Sequence, residues 1–117
     1  MKTIVYLFMN VIMRRSILFY IDKYPKAKIA LLTWYAELSG IKLKNFNELK
    51  EIYGNVSIVK NNRVVFNIKG NDFKLVVKFN FKQSALYIIW FGTHKEYDKI
   101  DVEIVAFDSK IAENKII

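Results

Sequence analysis

The sequence predicts a single α+β domain in which helices come first and an antiparallel β-meander of about four strands follows. Three observations carry that expectation. Between residues 17 and 38 apolar side chains recur at helical spacing. From residue 56 to 91 the chain is rich in β-branched and aromatic residues, divided by turn-type clusters at Asn61-Asn62, 69–72 and 82–85. Finally, 117 residues with 53% hydrophobic and 15% aromatic content match one domain with one core and no disulfide staples.

The elements follow in order. Residues 9–13 fit a short strand. Ser16 suits a helix N-cap, and Ile17, Tyr20, Ile21 and Tyr24 then mark one face of a helix. Pro25 breaks that helix and opens the next, over residues 26–39, with Ala27, Leu31, Trp34 and Leu38 as its apolar stripe and Gly40 at its end. Asn45 with Glu48 resembles a capping box for a short helix over 46–53. Strands are expected at 56–60, 63–68, 73–81 and 86–91. In the third of these, Phe73, Leu75, Val77, Phe79 and Phe81 point to a core, and Lys74, Val76, Lys78 and Asn80 to the other face. A four-residue connection at 69–72 would set Asn67 opposite Lys74 and Arg63 opposite Lys78 on that second, basic face. Continuing the pairing across 82–85 would bring Thr93 and His94 beside Lys74 and Phe73.

Charge narrows the function. The net charge is +8; residues 1–100 hold 17 Lys and Arg against 7 Asp and Glu, whereas 101–117 hold 2 against 4. A basic body suits a nucleic acid, since phosphate neutralisation supplies much of such affinity; it equally suits a merely soluble basic protein. Cysteine is absent, which excludes disulfides, thiolate nucleophiles and Cys-based metal sites. A single histidine, His94, rules out a multi-His metal site within the chain. No metal or other cofactor is expected. The apolar run before Met13 is shorter than the roughly 20 residues a bilayer span needs, and Arg14-Arg15 follow it in place of a cleavage site. A cytoplasmic protein without membrane contact is expected, with membrane association through residues 1–13 as an alternative.

The densest chemistry lies in Phe91-Gly92-Thr93-His94-Lys95-Glu96-Tyr97-Asp98-Lys99. Such a group at a strand end suits metal-free RNA cleavage. The 2′-hydroxyl attacks its own neighbouring phosphate while a base removes its proton, an acid protonates the leaving 5′-oxygen, and cations stabilise the phosphate. Histidine can take either proton-transfer role. Lys74, Lys95, Lys78 and Arg63 could hold the phosphate, and Tyr97 could stack on a base. A lone loop histidine is also an ordinary surface residue, and Tyr97 an ordinary core residue.

Taken together, the chain resembles the HigB family of toxins, within the RelE-like group of bacterial toxin–antitoxin systems. The resemblance covers residues 9–103. Its landmarks are Asp22-Lys23-Tyr24-Pro25, Leu32-Thr33-Trp34-Tyr35, Asn45-Phe46-Asn47-Glu48-Leu49-Lys50, and above all two blocks. These are Val65-Phe66-Asn67-Ile68-Lys69-Gly70-Asn71-Asp72-Phe73-Lys74-Leu75 and Gly92-Thr93-His94-Lys95-Glu96-Tyr97-Asp98-Lys99-Ile100. The resemblance implies a RelE-like fold and an endoribonuclease, an mRNA interferase that cuts mRNA on the translating ribosome without metal. It also implies a helix-turn-helix, HigA-like antitoxin as partner. The motif positions it carries over are Asn67, Gly70, Asn71, Lys74, Thr93, His94, Tyr97 and Asp98. His94 and Lys74, then Lys95 and Tyr97, are the expected catalytic groups; Arg63, Asn67, Lys69 and Lys78 are the expected RNA contacts. Gly70 and Asn71 are expected to shape the hairpin through positive φ. The family pattern carries Arg where this chain has Lys74, which keeps the charge and loses the bidentate fork. One toxin domain over 1–117 is expected, with an N-terminal extension at 1–8 and a tail at 104–117. The alternative is a non-catalytic RNA-binding or interaction protein on the same scaffold.

Overall fold

The computed structural model describes residues 10–12 and 14–107, with side chains from Arg15 onward. The extension at 1–8, Met9, Met13 and residues 108–117 lie outside the described residues. The elements are β1 (Asn10–Ile12), α1 (Arg14–Lys23), α2 (Lys28–Ser39), α3 (Phe46–Ile52), β2 (Ser57–Val59), β3 (Arg63–Ile68), β4 (Phe73–Asn80), β5 (Ala85–Thr93) and the single turn α4 (His94–Tyr97). A 3-10 turn at Pro25–Ala27 joins α1 to α2. No helix among the described residues is long and apolar enough to cross a membrane.

The sheet has strand order β1-β5-β4-β3-β2. β2 to β5 form the expected antiparallel meander, and β1 adds a parallel edge beside β5. Helices cover one face. Ala27, Leu31, Trp34 and Leu38 are all buried, as their spacing predicts, and pack with Phe66, Leu75, Phe79, Leu86 and Phe91 in one cluster. The Trp34 and Phe66 rings meet edge to face at 5.4 Å, a contact worth about 1 kcal/mol beyond the area it buries. Asn45 caps α3 by accepting from the Glu48 N–H at 2.9 Å. The return bond of that box is shifted by one residue, since Glu48 accepts from the Lys44 N–H.

Helix α1 departs from expectation. It begins before Ser16, which is buried inside it rather than capping it. The apolar spacing identifies the helix face correctly, and burial of a small side chain against that face overrides the cap preference.

The β3–β4 pairing has the expected register, with Arg63 opposite Lys78, Asn67 opposite Lys74 and Ile68 opposite Phe73. The turn chemistry differs in one residue: Lys69 (φ 56°) and Gly70 (φ 63°) take the left-handed conformation, and Asn71 does not. The β4–β5 register is corrected. Thr93 pairs with Phe73, and Gly92 with Lys74. Val77 faces Ile88 while Val76 faces Trp90, so Ile89 is an extra residue bulged out of the ladder.

That bulge has a large consequence. A one-residue slip exchanges the two faces of a strand. Before it, Leu86 and Ile88 face the core; after it, Phe91 does, and Trp90 and Gly92 turn to the outer face beside Val76 and Lys74.

The outer face is also less open than its sequence implies. Val65 and Val76 in its middle are buried. At one end the Arg63 guanidinium donates to the carbonyls of Val102 (3.1 Å) and Val105 (2.7 Å), and the Asn61 amide donates to that of Glu103. The chain's own C-terminal segment thus holds that end.

Candidate active site

Four segments meet at the other end of the sheet: the α1–α2 connection, the β3–β4 hairpin, the end of β5, and α4. Strand pairing delivers Lys74 there, between Asn67 on β3 and Gly92 on β5. Its ammonium donates to Asn67 Oδ1 and, at 2.8 Å, to Asn71 Oδ1. It also lies 5.8 Å from the centre of the Tyr97 ring, within cation–π range. An ammonium offers three donors and no acceptor, so both amides must turn oxygen toward it. Two donors are thereby committed and one is left for a ligand. The lysine is held in place before anything binds, which removes an ordering cost that a free lysine would carry.

Residue Tyr97 stands on α4 one turn beyond His94, and residues three apart on a helix are neighbours. Burial pushes its phenol above the usual range, and the nearby Asp98 carboxylate adds to the effect. The hydroxyl therefore keeps its proton at neutral pH and acts as a donor. His94 opens α4, and its side chain is 49% exposed, with Nε2 3.9 Å from Asp98 Oδ2. Its backbone N–H donates to the Asp72 carbonyl at 3.0 Å, tying the start of α4 to the hairpin that carries Asn71.

A second network fixes α4 from behind. Thr93 Oγ1 accepts from the Glu96 N–H, and Glu96 Oε1 accepts from the Thr93 N–H at 2.8 Å, a reciprocal capping box. The same carboxylate oxygen accepts from the Tyr24 hydroxyl at 2.7 Å. Burial alone would raise the Glu96 carboxyl. Hydrogen bonds from Thr93 and Tyr24, with Lys23 nearby, outweigh it and hold the group below its ordinary value. On the other partner, burial and then Glu96 push the Tyr24 phenol far upward, so it stays a donor.

A carboxyl lowered on folding contributes stability that is present above its unfolded value of 4.5 and lost as pH falls through the folded one. Glu96→Gln is therefore expected to lower Tm at pH 7, with the gap to the parent closing as pH drops below about 4.5. Thermal melts across that range check it; a gap independent of pH contradicts the assignment. Tyr24→Phe removes only the hydroxyl and is expected to cost about 1 kcal/mol.

The bulge adds an aromatic that sequence reasoning misses. Trp90 is half-buried with its ring 6.2 Å from that of Tyr97, and it lies over Gly92. A Cβ at Gly92 would fall 2.6 Å from Trp90 Cη2, so only glycine admits this packing. Trp90 and Tyr97 beside a fixed cation form a surface on which a base can stack. Gly92→Ala is expected to displace Trp90, shifting tryptophan emission, and to weaken RNA binding about tenfold, the worth of roughly one stacked base. Unchanged emission and affinity would contradict the packing argument.

The expected site residues thus divide into three places. Lys74, Asn67 and Tyr97 gather at the hairpin end of the sheet, and the His94 backbone is tied to the hairpin there. Lys69 and Lys95 lie round the corner, on a cleft that His94 also lines. Arg63 and Lys78 sit at the far end of their strands, and Lys78 is four residues, about 13 Å, from Lys74. Arg63 is engaged with carbonyls of its own chain, so the structure gives it a tail-holding contact. Beyond Trp90, the residues that sequence reasoning misses are Tyr24 and Glu96; Asn71, which lies in the turn as expected, also orients Lys74. Among the described residues no group of three or more His, Asp or Glu side chains is placed to hold a metal ion.

Comparison with known proteins gives consistent matches. The family model described as HigB_toxin, RelE-like toxic component of a toxin-antitoxin system, matches residues 27–100, more than half of the chain. The chain is 28% identical over 92 residues to the mRNA interferase toxin HigB of Escherichia coli (strain K12), covering 77% of this chain and 88% of that protein. It is similar to the same extent to the mRNA interferase HigB of Escherichia coli O157:H7 and to that of Shigella flexneri.

Proposed function

The chain belongs to the HigB family of RelE-like toxins, and from that premise we propose that it is an mRNA interferase that cuts mRNA on the ribosome. The observation that carries this reading is the preorganised Lys74, gripped by Asn67 and Asn71 and set over Tyr97, at the foot of the turn that presents His94.

The chemistry follows from those groups. The scissile phosphate sits against Lys74 Nζ, whose remaining donor meets a non-bridging oxygen as charge builds in the pentavalent transition state. The 2′-oxygen of the preceding ribose attacks phosphorus and loses its proton to a base. The P–O5′ bond breaks, and the leaving oxygen gains a proton from an acid. The products are a 2′,3′-cyclic phosphate and a 5′-hydroxyl. His94 transfers one of these protons. The protonated Tyr97 hydroxyl donates to the phosphate or to the leaving oxygen, and Trp90 with Tyr97 supports a flanking base. No residue in this scheme requires a metal.

The partner that silences the toxin is proposed to be a HigA-like antitoxin with a helix-turn-helix domain. Expression of the chain from a tightly repressed promoter, followed by mapping of new mRNA 5′ ends, tests the whole reading. Growth arrest with cuts inside translated frames is the expected result. Normal growth with intact mRNA, the folded protein being present, would overturn it.

A further inference from the structure

Around the end of the sheet from Lys74 lies a cleft of about 730 Å³, of which the cleavage scheme uses only the end lined by His94 and Asn71. The α1–α2 connection forms one wall, with Lys23, Tyr24, Pro25 and Lys26. The β3–β4 hairpin forms the opposite wall, with Lys69, Asn71 and Asp72, and α4 closes the end with His94 and Lys95. The volume falls within the roughly 300–1,000 Å³ range of small-ligand pockets.

Three features define what would fit. Tyr24, Pro25 and Phe73 give its floor and lower wall an apolar lining. Its rim is cationic, with four lysines and one lining carboxylate, Asp72, while Glu96 lies behind Tyr24 near Lys23. Among the described residues, Lys26, Lys69 and Lys95 are exposed and make no ion pair. Like charges converging without acid partners cost stability, and an anionic ligand removes that cost. The cleft also joins the Lys74 centre directly, because Asn71 lines the cleft while its side-chain oxygen accepts from Lys74. A flat apolar ring with a phosphate attached matches both floor and rim.

We infer that this cleft is a nucleotide subsite, holding one nucleotide of single-stranded RNA next to the phosphate at Lys74. Its base rests on Tyr24 and Pro25, and its own phosphate lies among Lys26, Lys69 and Lys95. Asp72 is an acceptor for a ribose hydroxyl or a base amino group. The subsite rests on the nuclease reading for its role, and it sets which neighbouring nucleotide the enzyme accepts. The Tyr24–Glu96 bond then has a second purpose, since it fixes the subsite wall to the turn that carries His94.

Two measurements on the full chain test this. The first is an amide NMR titration with adenosine 5′-monophosphate and, separately, with inorganic phosphate. The nucleotide is expected to shift the amides of Lys23, Lys26, Lys69 and Lys95 and to bind more tightly than phosphate. Shifts centred elsewhere, or equal binding of phosphate alone, overturn the subsite. The second measures binding of a fully 2′-O-methylated hexanucleotide, which has no 2′-hydroxyl to attack and cannot be cut. Lys26→Gln/Lys69→Gln is expected to weaken it about tenfold and to flatten its salt dependence by roughly one charge or more. Lys60→Gln, an equal type of charge loss at the opposite turn, should change it less than about twofold. Parent-like binding by the double variant overturns the subsite. Because the probe is uncleavable, a chain that binds it in the cleft and cuts no RNA would sink the nuclease reading alone. A chain whose cutting rate and site preference are unchanged by Lys26→Gln/Lys69→Gln would sink the subsite alone.

Discussion

Replacing His94 with alanine is expected to lower RNA cleavage by about 10²- to 10⁴-fold, the usual worth of a positioned proton-transfer group. The fold should survive. The side chain is 49% exposed, it packs into no core cluster, and its ion-pair partner at 3.9 Å is the exposed Asp98. What α4 needs from this position is the backbone N–H that bonds Asp72, and alanine keeps it. The variant should therefore melt near the parent temperature and bind RNA with little change while failing to cut. Single-turnover cleavage beside a thermal melt separates these outcomes. Parent-like cleavage would remove His94 from the mechanism and leave Tyr97 as the remaining proton donor at the site.

Replacing Lys74 with alanine is expected to cost about 10²- to 10³-fold, in line with loss of one preorganised charge at the reacting centre. Two effects add. The cation that meets the non-bridging oxygen disappears, and the carbonyl oxygens of Asn67 and Asn71 lose the donor that they share. Lys74→Arg separates charge from geometry. A guanidinium supplies five donors in a fixed fork, enough to satisfy both amides and still reach phosphate. Arginine is thus expected to restore activity to within about tenfold of the parent, and glutamine is not. If alanine and arginine behave alike, the Asn–Lys–Asn arrangement is structural and carries no catalysis.

These two residues also show how far the sequence can be read. The β3–β4 register is legible because a four-residue connection and strict alternation in β4 leave one pairing that buries Phe73, Leu75, Val77 and Phe79 together. The same pairing sets Asn67 against Lys74, so half of the lysine's grip follows from strand alternation alone. The β4–β5 register is not legible. β5 begins Ala85-Leu86-Tyr87-Ile88-Ile89-Trp90, which is apolar throughout, so no alternation marks the residue that bulges. Trp90 is hidden for the same reason, since without the bulge it would face the core. The Tyr24–Glu96 bond spans 72 positions and has no local signature at either end. Glu96 stands out in the sequence only as part of a charged cluster, although Thr93 and Glu96 have the spacing of a capping box. Arg63 looks like an RNA contact from its place on a basic face. In the structure its guanidinium donates to carbonyls in a segment without regular structure, and such pairings leave no pattern in sequence.

The central claim is that this chain cuts RNA by attack of the substrate's own 2′-hydroxyl, with Lys74, His94 and Tyr97 as the working groups. The chemistry of the cut ends tests it most directly. RNA cleaved by the purified chain on translating ribosomes should carry 5′-hydroxyl and 2′,3′-cyclic or 3′-phosphate ends, and these ends should vanish with His94→Ala. Cuts that leave 5′-phosphate and 3′-hydroxyl ends, or RNA left whole by the folded parent protein, would contradict the account.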